Sequence, residues 1–325
     1  MLQVLERRSL LGFMALAAVA PVIFRDPYLL HVGIMVLIFA ALASSLNLIV
    51  GYIGEFSLGH TVFFGMGAYL AALLTIRLGA PIWFLVPFAG VVAALIGLVI
   101  GGITLRLRGP FFVIVTLCFA EILRLVATNW IDLTNGPMGL AGIPKPFNQD
   151  KLAYYYLCWA ILAAAVYLCY RFVYSSTGRA AVTVRENRYI AQSVGVQPFK
   201  YAMIAFVLGA FIAGVAGSLY AYYISFVGPE VFNFSFMISM ILMVLIGGKG
   251  TLLGPLLGSL LVIFLEESLR GAQEFRLSLF GIIVMLIVLF MPRGIVGYIH
   301  QRVQAKKCSS DASATLKGGN LHASV

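Results

Sequence analysis

The interval Ser175–Lys200 reads SSTGRAAVTVRENRYIAQSVGVQPFK, the longest polar and basic run between hydrophobic segments ahead of the C-terminal tail. It carries the start and stop signals of a short helix. Thr183 followed by Glu186 is a T-x-x-E capping box, in which each side chain can satisfy an orphan N–H of the first turn. Gly195 offers a left-handed position after the helix, and Pro198 discourages continuation. Between these caps Val184, Ile190, Ala191 and Val194 can share one face, while Arg185, Asn187 and Arg188 stay polar. A short helix between two membrane spans has little core to bury into. Its natural use is to dock on something else.

The rest of the chain sets that interval in a membrane. Its 325 residues are 62% hydrophobic and 10% charged, with a mean hydropathy of +1.01. Soluble domains carry roughly a quarter charged residues, so this composition belongs to a polytopic membrane protein. The formal net charge of +10 could suggest nucleic acid, but the basic residues are scattered between apolar runs and read as topology signals. Cys118, Cys158, Cys169 and Cys308 show neither metal-ligand nor CxxC spacing and read as small packing residues. Arg7 and Arg8 ahead of Leu10–Phe24 resemble a secretory signal, and Ala18-Val19-Ala20 a cleavage site. Pro21 directly after that site favours an uncleaved first span.

A helix needs about 20 apolar residues to cross the bilayer. Candidates fall at 10–24, 28–50, 56–76, 82–105, 110–128, 152–173, 201–224, 233–248, 251–265 and 277–292. The expectation is an all-α polytopic membrane protein of about ten transmembrane helices. With the N-terminus cytoplasmic, inside segments hold fifteen of the 22 lysines and arginines and outside segments six. That is the asymmetry of the positive-inside rule. It places residues 1–9 and both termini in the cytoplasm, with a membrane domain over 10–300. Ser175–Lys200 becomes a cytoplasmic loop, and 301–325 reads as a disordered cytoplasmic tail.

Chemistry-bearing groups inside the spans are few. Asn47, Glu55, Ser57 and His60 occur among Gly51, Gly54 and Gly59, where an unwound turn could line a solute pathway or form a tight interfacial turn. Glu121 and Arg124, spaced i,i+3, sit well inside a span and can neutralise each other. Such charges usually face a bundle interior or a cavity. A structural ion pair is favoured over direct contact with solute. The loop Thr134–Pro144 is rich in glycine and proline, which turn chemistry alone explains; an external docking surface is the sharper alternative. Gly247-Gly-Lys-Gly-Thr251 lacks the G-K-[ST] order of a phosphate loop and has no strand before it. No catalytic, metal or cofactor constellation is recognisable, so the chain is not expected to be an enzyme.

Several longer motifs occur together: LNLIVGYIGEFSLGHTVFFGMGAYLAALL, FFVIVTLCFAEILRLVATNW, STGRAAVTVRENRYIAQSVGV, FVLGAFIAGVAGSLYAYYISFVGPEVF, VLIGGKGTLLGPLLGSLL and MPRGIVG. With them the chain resembles the LivM-like permease subunits of branched-chain amino acid ABC importers, roughly from Leu46 to Gly297. The resemblance implies the ABC importer permease fold and a complex with a homologous LivH-like permease. Two ATP-hydrolysing subunits and a periplasmic substrate-binding protein would complete it. It assigns contact with the ATPases to Arg185, Glu186, Asn187, Ala191 and Gly195. Glu55 stands where the family usually has Gln, and Thr134-Asn-Gly-Pro-Met-Gly departs from its outer loop. Tyr189 and Ile190 occupy the first two positions of the EAA-type loop pattern.

The expected function is import of branched-chain or related amino acids across the bacterial inner membrane, with energy from partner ATPases. Closure of those ATPases would push on Val184–Val194 and switch access. A permease for urea, short amides or another small polar solute is the alternative. A stand-alone secondary transporter would need ion-coupling groups, for which Glu121–Arg124 is the only candidate. A membrane enzyme lacks a catalytic constellation, and a passive channel would conduct without ATP.

Overall fold

The computed structural model describes residues 2–23, 26–269, 281, 282, 285, 289 and 294–297. Among the described residues up to 269, twelve α-helices run in chain order: α1 Leu2–Ile23, α2 Pro27–Asn47, α3 Thr61–Leu78, α4 Ile82–Thr104, α5 Pro110–Asn129 and α6 Ile131–Thr134. They continue with α7 Lys151–Tyr174, α8 Ser176–Glu186, α9 Arg188–Ser193, α10 Pro198–Ile224, α11 Phe234–Gly247 and α12 Gly254–Ser268. Among the described residues, six helices are long and apolar enough to cross a membrane: α2 with its continuation to Ile53, α3, α4, α5, α7 and α10. Helices also occupy the expected first, eighth and ninth spans. The tenth, 277–292, lies largely outside the described residues; Arg270, Arg276, Met291–Arg293 of the MPRGIVG motif, Cys308 and the tail lie wholly outside them.

Burial sorts the spans into a centre and a rim. The α2 window is 83% buried and that of α10 72%, against 22% for α5. Helix α10 packs on α4, α3 and α2, while α11 and α12 form a short antiparallel pair against α2. Small residues let these helices approach, as expected where lipid supplies no hydrophobic drive. An aromatic cluster of Phe39, Phe64, Tyr220 and Phe236 joins α2, α3, α10 and α11, with ring centroids 5.3–6.4 Å apart. Helix α1 is held on α7 by Tyr155 Oη donating to Ala17 O at 2.7 Å and Trp159 Nε1 donating to Met14 O at 3.0 Å.

Three local expectations are corrected. The third span starts at Thr61, not 56, because α2 runs on as a π-helical turn, Leu48–Ile53, which Gly54 ends at φ 86°. Residues 55–60 are then non-helical. The fold is not purely helical: Leu140–Ala141 pairs antiparallel with Phe226–Val227, tying the glycine-rich Thr134–Pro144 loop to the end of α10. Cys118 is exposed, whereas Cys158 and Cys169 are buried packing residues as expected.

Candidate functional site

Ser175–Lys200 folds as two short helices joined at Asn187. Thr183 does not cap: its Oγ1 donates to Arg179 O at 3.0 Å from within α8. Ser175 takes that role, its Oγ accepting from Gly178 N at 3.2 Å. Asn187, extended at φ −157°, breaks the helix and caps α9 by accepting from Tyr189 N at 3.0 Å and Ile190 N at 3.1 Å. A short polar side chain that can reach two orphan donors ahead competes with helix continuation, and here it wins. At the far end Gly195 is left-handed at φ 81°, and Val196 N donates to Ala191 O at 2.9 Å.

The apolar face splits in two. Val184 and Ala191 are buried against the bundle, while Tyr189, Ile190 and Val194 are 73%, 60% and 68% exposed. A charge at Ala191 would therefore disturb the internal fold of this segment. Tyr189, Ile190 and Val194 are the apolar residues placed to meet another molecule.

Below α8 lies a knot of contacts that joins the Asn47–His60 stretch to the Gly247–Thr251 turn. Arg185 Nη1 donates to Gly51 O at 2.5 Å and its Nη2 pairs with Glu186 Oε1 at 2.7 Å. The π-helical turn makes the Gly51 carbonyl available, because its hydrogen-bond ladder is shifted. Asn47 is 2% exposed; its Nδ2 donates to Thr251 O at 2.8 Å and its Oδ1 accepts from Gly250 N at 2.9 Å. Both halves of the amide thus clasp the α11–α12 turn, leaving little for a solute. Asn47→Leu is expected to cost about 2 kcal/mol by orphaning Gly250 N and Thr251 O. Thermal unfolding in detergent checks this, and an unchanged midpoint would show that the clasp carries no weight.

The remaining sequence candidates separate. Ser57 and His60 are 1% and 0% exposed; His60 Nε2 meets Ser45 Oγ at 2.7 Å, and its ring lies edge-on to Phe63 at 5.6 Å. The 55–60 segment seats on α5, with Leu58 N donating to Thr116 Oγ1 at 3.1 Å. Glu55 is half-buried and faces the α8–α9 junction, in a cavity shared with Arg108, Arg185 and Arg188. Arg124 Nε donates to Glu121 Oε2 at 2.9 Å, confirming the ion pair, but the two side chains are 32% and 52% exposed. They occupy the outer face of α5 rather than the interior of this chain, contrary to the usual placement of intramembrane charges. Hydrocarbon is a poor partner for that face, so the pair signals protein or water beyond the single chain. Sequence reasoning missed Arg108, whose guanidinium lies 5.7 Å from the Tyr189 ring centroid. Its signal, an arginine in the short α4–α5 link, emerges only once α9 is folded beside it.

Residues 28–292 match the family described as branched-chain amino acid transport system / permease component. The chain is 30% identical over 303 residues to the high-affinity branched-chain amino acid transport system permease protein LivM of Escherichia coli strain K12, covering 85% of this chain and 71% of that protein. Permease protein LivH of the same organism is 24% identical over 284 residues, covering 80% and 91%. A probable LivM of Methanocaldococcus jannaschii is 25% identical over 235 residues, covering 63% and 66%. No solved structure matches the chain significantly.

Proposed function

This chain belongs to the branched-chain amino acid transport permease family, and from that premise we propose that it is the membrane-spanning permease subunit of an ATP-binding-cassette importer for branched-chain or related amino acids. The observation that carries the reading is the α8–α9 segment. It is braced from below by Arg185 and Ala191 and offers Tyr189, Ile190 and Val194 to a partner. An apolar patch on an otherwise polar connecting segment fits a docking role. In this reading Ser175–Lys200 is cytoplasmic, as the charge asymmetry favours, and the chain crosses the inner membrane about ten times with both termini inside. The partner on α8–α9 is an ATP-hydrolysing subunit, of which the complex holds two. A homologous permease covers the outer face of α5, and a periplasmic binding protein delivers solute.

Mechanistically, displacement of α8 has a continuous route into the bundle. Arg185 grips Gly51 O, the π-helical turn leads into 55–60, and Leu58 is hydrogen-bonded to Thr116 on α5. Helix α5 carries Glu121 and Arg124 towards the second permease, so the same movement reshapes the seam along which solute passes. Ser57 and His60 lie buried behind α5 and reach solute only when 55–60 shifts. Two discrete packings of these elements, biased by the ATPases, constitute alternating access.

The test is Ile190→Asp in the assembled importer. Desolvating a carboxylate in an apolar contact should weaken ATPase association at least ~tenfold, with a matching loss of uptake. Undiminished co-purification and uptake would remove the docking role.

A further inference from the structure

Between the α4–α5 link and the α8–α9 junction lies a cavity of about 230 Å³. Its charged lining is Glu55, Arg108, Arg185, Glu186 and Arg188, so three guanidiniums face two carboxylates. Arg185 is already committed to Glu186 and Gly51 O. Arg108 and Arg188 are not so satisfied. Arg108 reaches Tyr189 Oη at 3.5 Å and lies beside its ring. Arg188 Nε is buried with no hydrogen-bond partner among the described residues. Burial first, and then the charge of Arg108, hold the Arg188 guanidinium below its ordinary range, while Glu55 and Tyr189 offset this in part. Bringing two guanidiniums together and orphaning a buried N–H both cost free energy, and a single anion between them relieves both.

We propose that this cavity is the socket for an acidic side chain of the ATP-hydrolysing subunit, seated between Arg108 and Arg188. The inference rests on the docking role of α8–α9 and adds an ionic anchor from a different part of the chain. A partner carboxylate fits on three grounds. The cavity wall adjoins the exposed Tyr189–Ile190 face: its lining residue Arg188 directly precedes Tyr189, whose ring is the partner of Arg108 and part of the apolar patch. Arg108 and Arg188 outnumber Glu55, so the charge left after the Arg185–Glu186 pair is net positive. A guanidinium fork matches a carboxylate geometrically, in short charge-assisted hydrogen bonds. Docking then has two components: an apolar contact by Ile190 and Val194 that fixes position, and an ion pair that fixes register. Desolvated arginine–carboxylate contacts of this kind are typical binding hot spots.

The experiment uses the complete importer with its own ATP-hydrolysing subunits co-expressed. Association is titrated against sodium chloride for the parent, Arg188→Glu, Arg108→Glu, Arg188→Gln and Ile190→Asp. The expected result is at least ~tenfold weaker association for both charge reversals and a shallower salt dependence for Arg188→Gln, with the membrane domain as heat-stable as the parent. Charge reversals that leave association and its salt dependence unchanged, while Ile190→Asp abolishes it, would overturn the socket and leave the docking role standing. If Ile190→Asp also leaves association intact, the docking role itself fails. Saturable binding of inorganic phosphate or of vesicles rich in anionic lipid, lost in Arg188→Gln while subunit association is unaffected, would also overturn the proposal by assigning the cavity to a small anion.

Discussion

Replacing Gly217 by valine is expected to separate α3 from α10 and cost about 3 kcal/mol or more. A Cβ at this position would lie 1.9 Å from Phe64 O, 2.8 Å from its carbonyl carbon and 3.1 Å from Ala68 N. All three atoms are backbone, so no rotamer change relieves the clash and two helices must move apart. The packing is reciprocal: a Cβ on Gly67 of α3 would lie 2.1 Å from Gly214 O of α10. Because lipid is as apolar as the helix faces, close backbone approach is what holds such a seam together. Widening it forfeits the dispersion contacts of Phe63, Phe64 and Phe206, each nearly fully buried. The control is Gly102→Val on α4, where an added Cβ meets nothing within 4 Å. Thermal unfolding in detergent should separate the two variants clearly. Equal midpoints would mean that the α3–α10 seam is not where the bundle's stability resides.

Much of this architecture was legible in the sequence because membrane spans are written in length and apolarity alone. The start and end of α4, α5, α7 and α10 fall within three residues of where apolar runs place them. What failed is local polar chemistry, where several residues compete for the same backbone groups. Thr183 and Glu186 satisfy a capping pattern, but Ser175 already starts the helix and Thr183 bonds backwards to Arg179. Asn187 carried the real signal, a short polar side chain ahead of Arg-Tyr-Ile, yet its reach depends on the backbone it breaks. The π-helical turn was not legible at all. It is stabilised by Asn47 and Gly250, 203 positions apart, and by Arg185 on a third element. The Glu121–Arg124 bond followed from i,i+3 spacing. Which face of α5 it occupies did not, because the sequence marks a polar spot on α5 but only the neighbouring helices define which side of it is inside.

That placement makes Arg124→Leu the second change of large expected effect. Glu121 is near the middle of α5, about 16 Å from its start at 1.5 Å per residue, and half-exposed on the rim of the chain. A charge at the centre of a span costs about 2.5–3.5 kcal/mol even on insertion scales, so removing its cation should be felt far more than removing both charges. Arg124→Leu alone is therefore expected to reduce recovery of the complex with the second permease severalfold. Glu121→Leu/Arg124→Leu should restore both recovery and uptake to near the parent level. The double variant is the informative one. If the pair is structural, two leucines pack into the same seam and transport continues. If solute touches either charge, the double variant assembles normally but takes up amino acid poorly, with the defect in apparent affinity as well as rate. Normal assembly of Arg124→Leu would place the unpaired carboxylate in water, and the outer face of α5 would then line an open aqueous pathway instead of a protein seam.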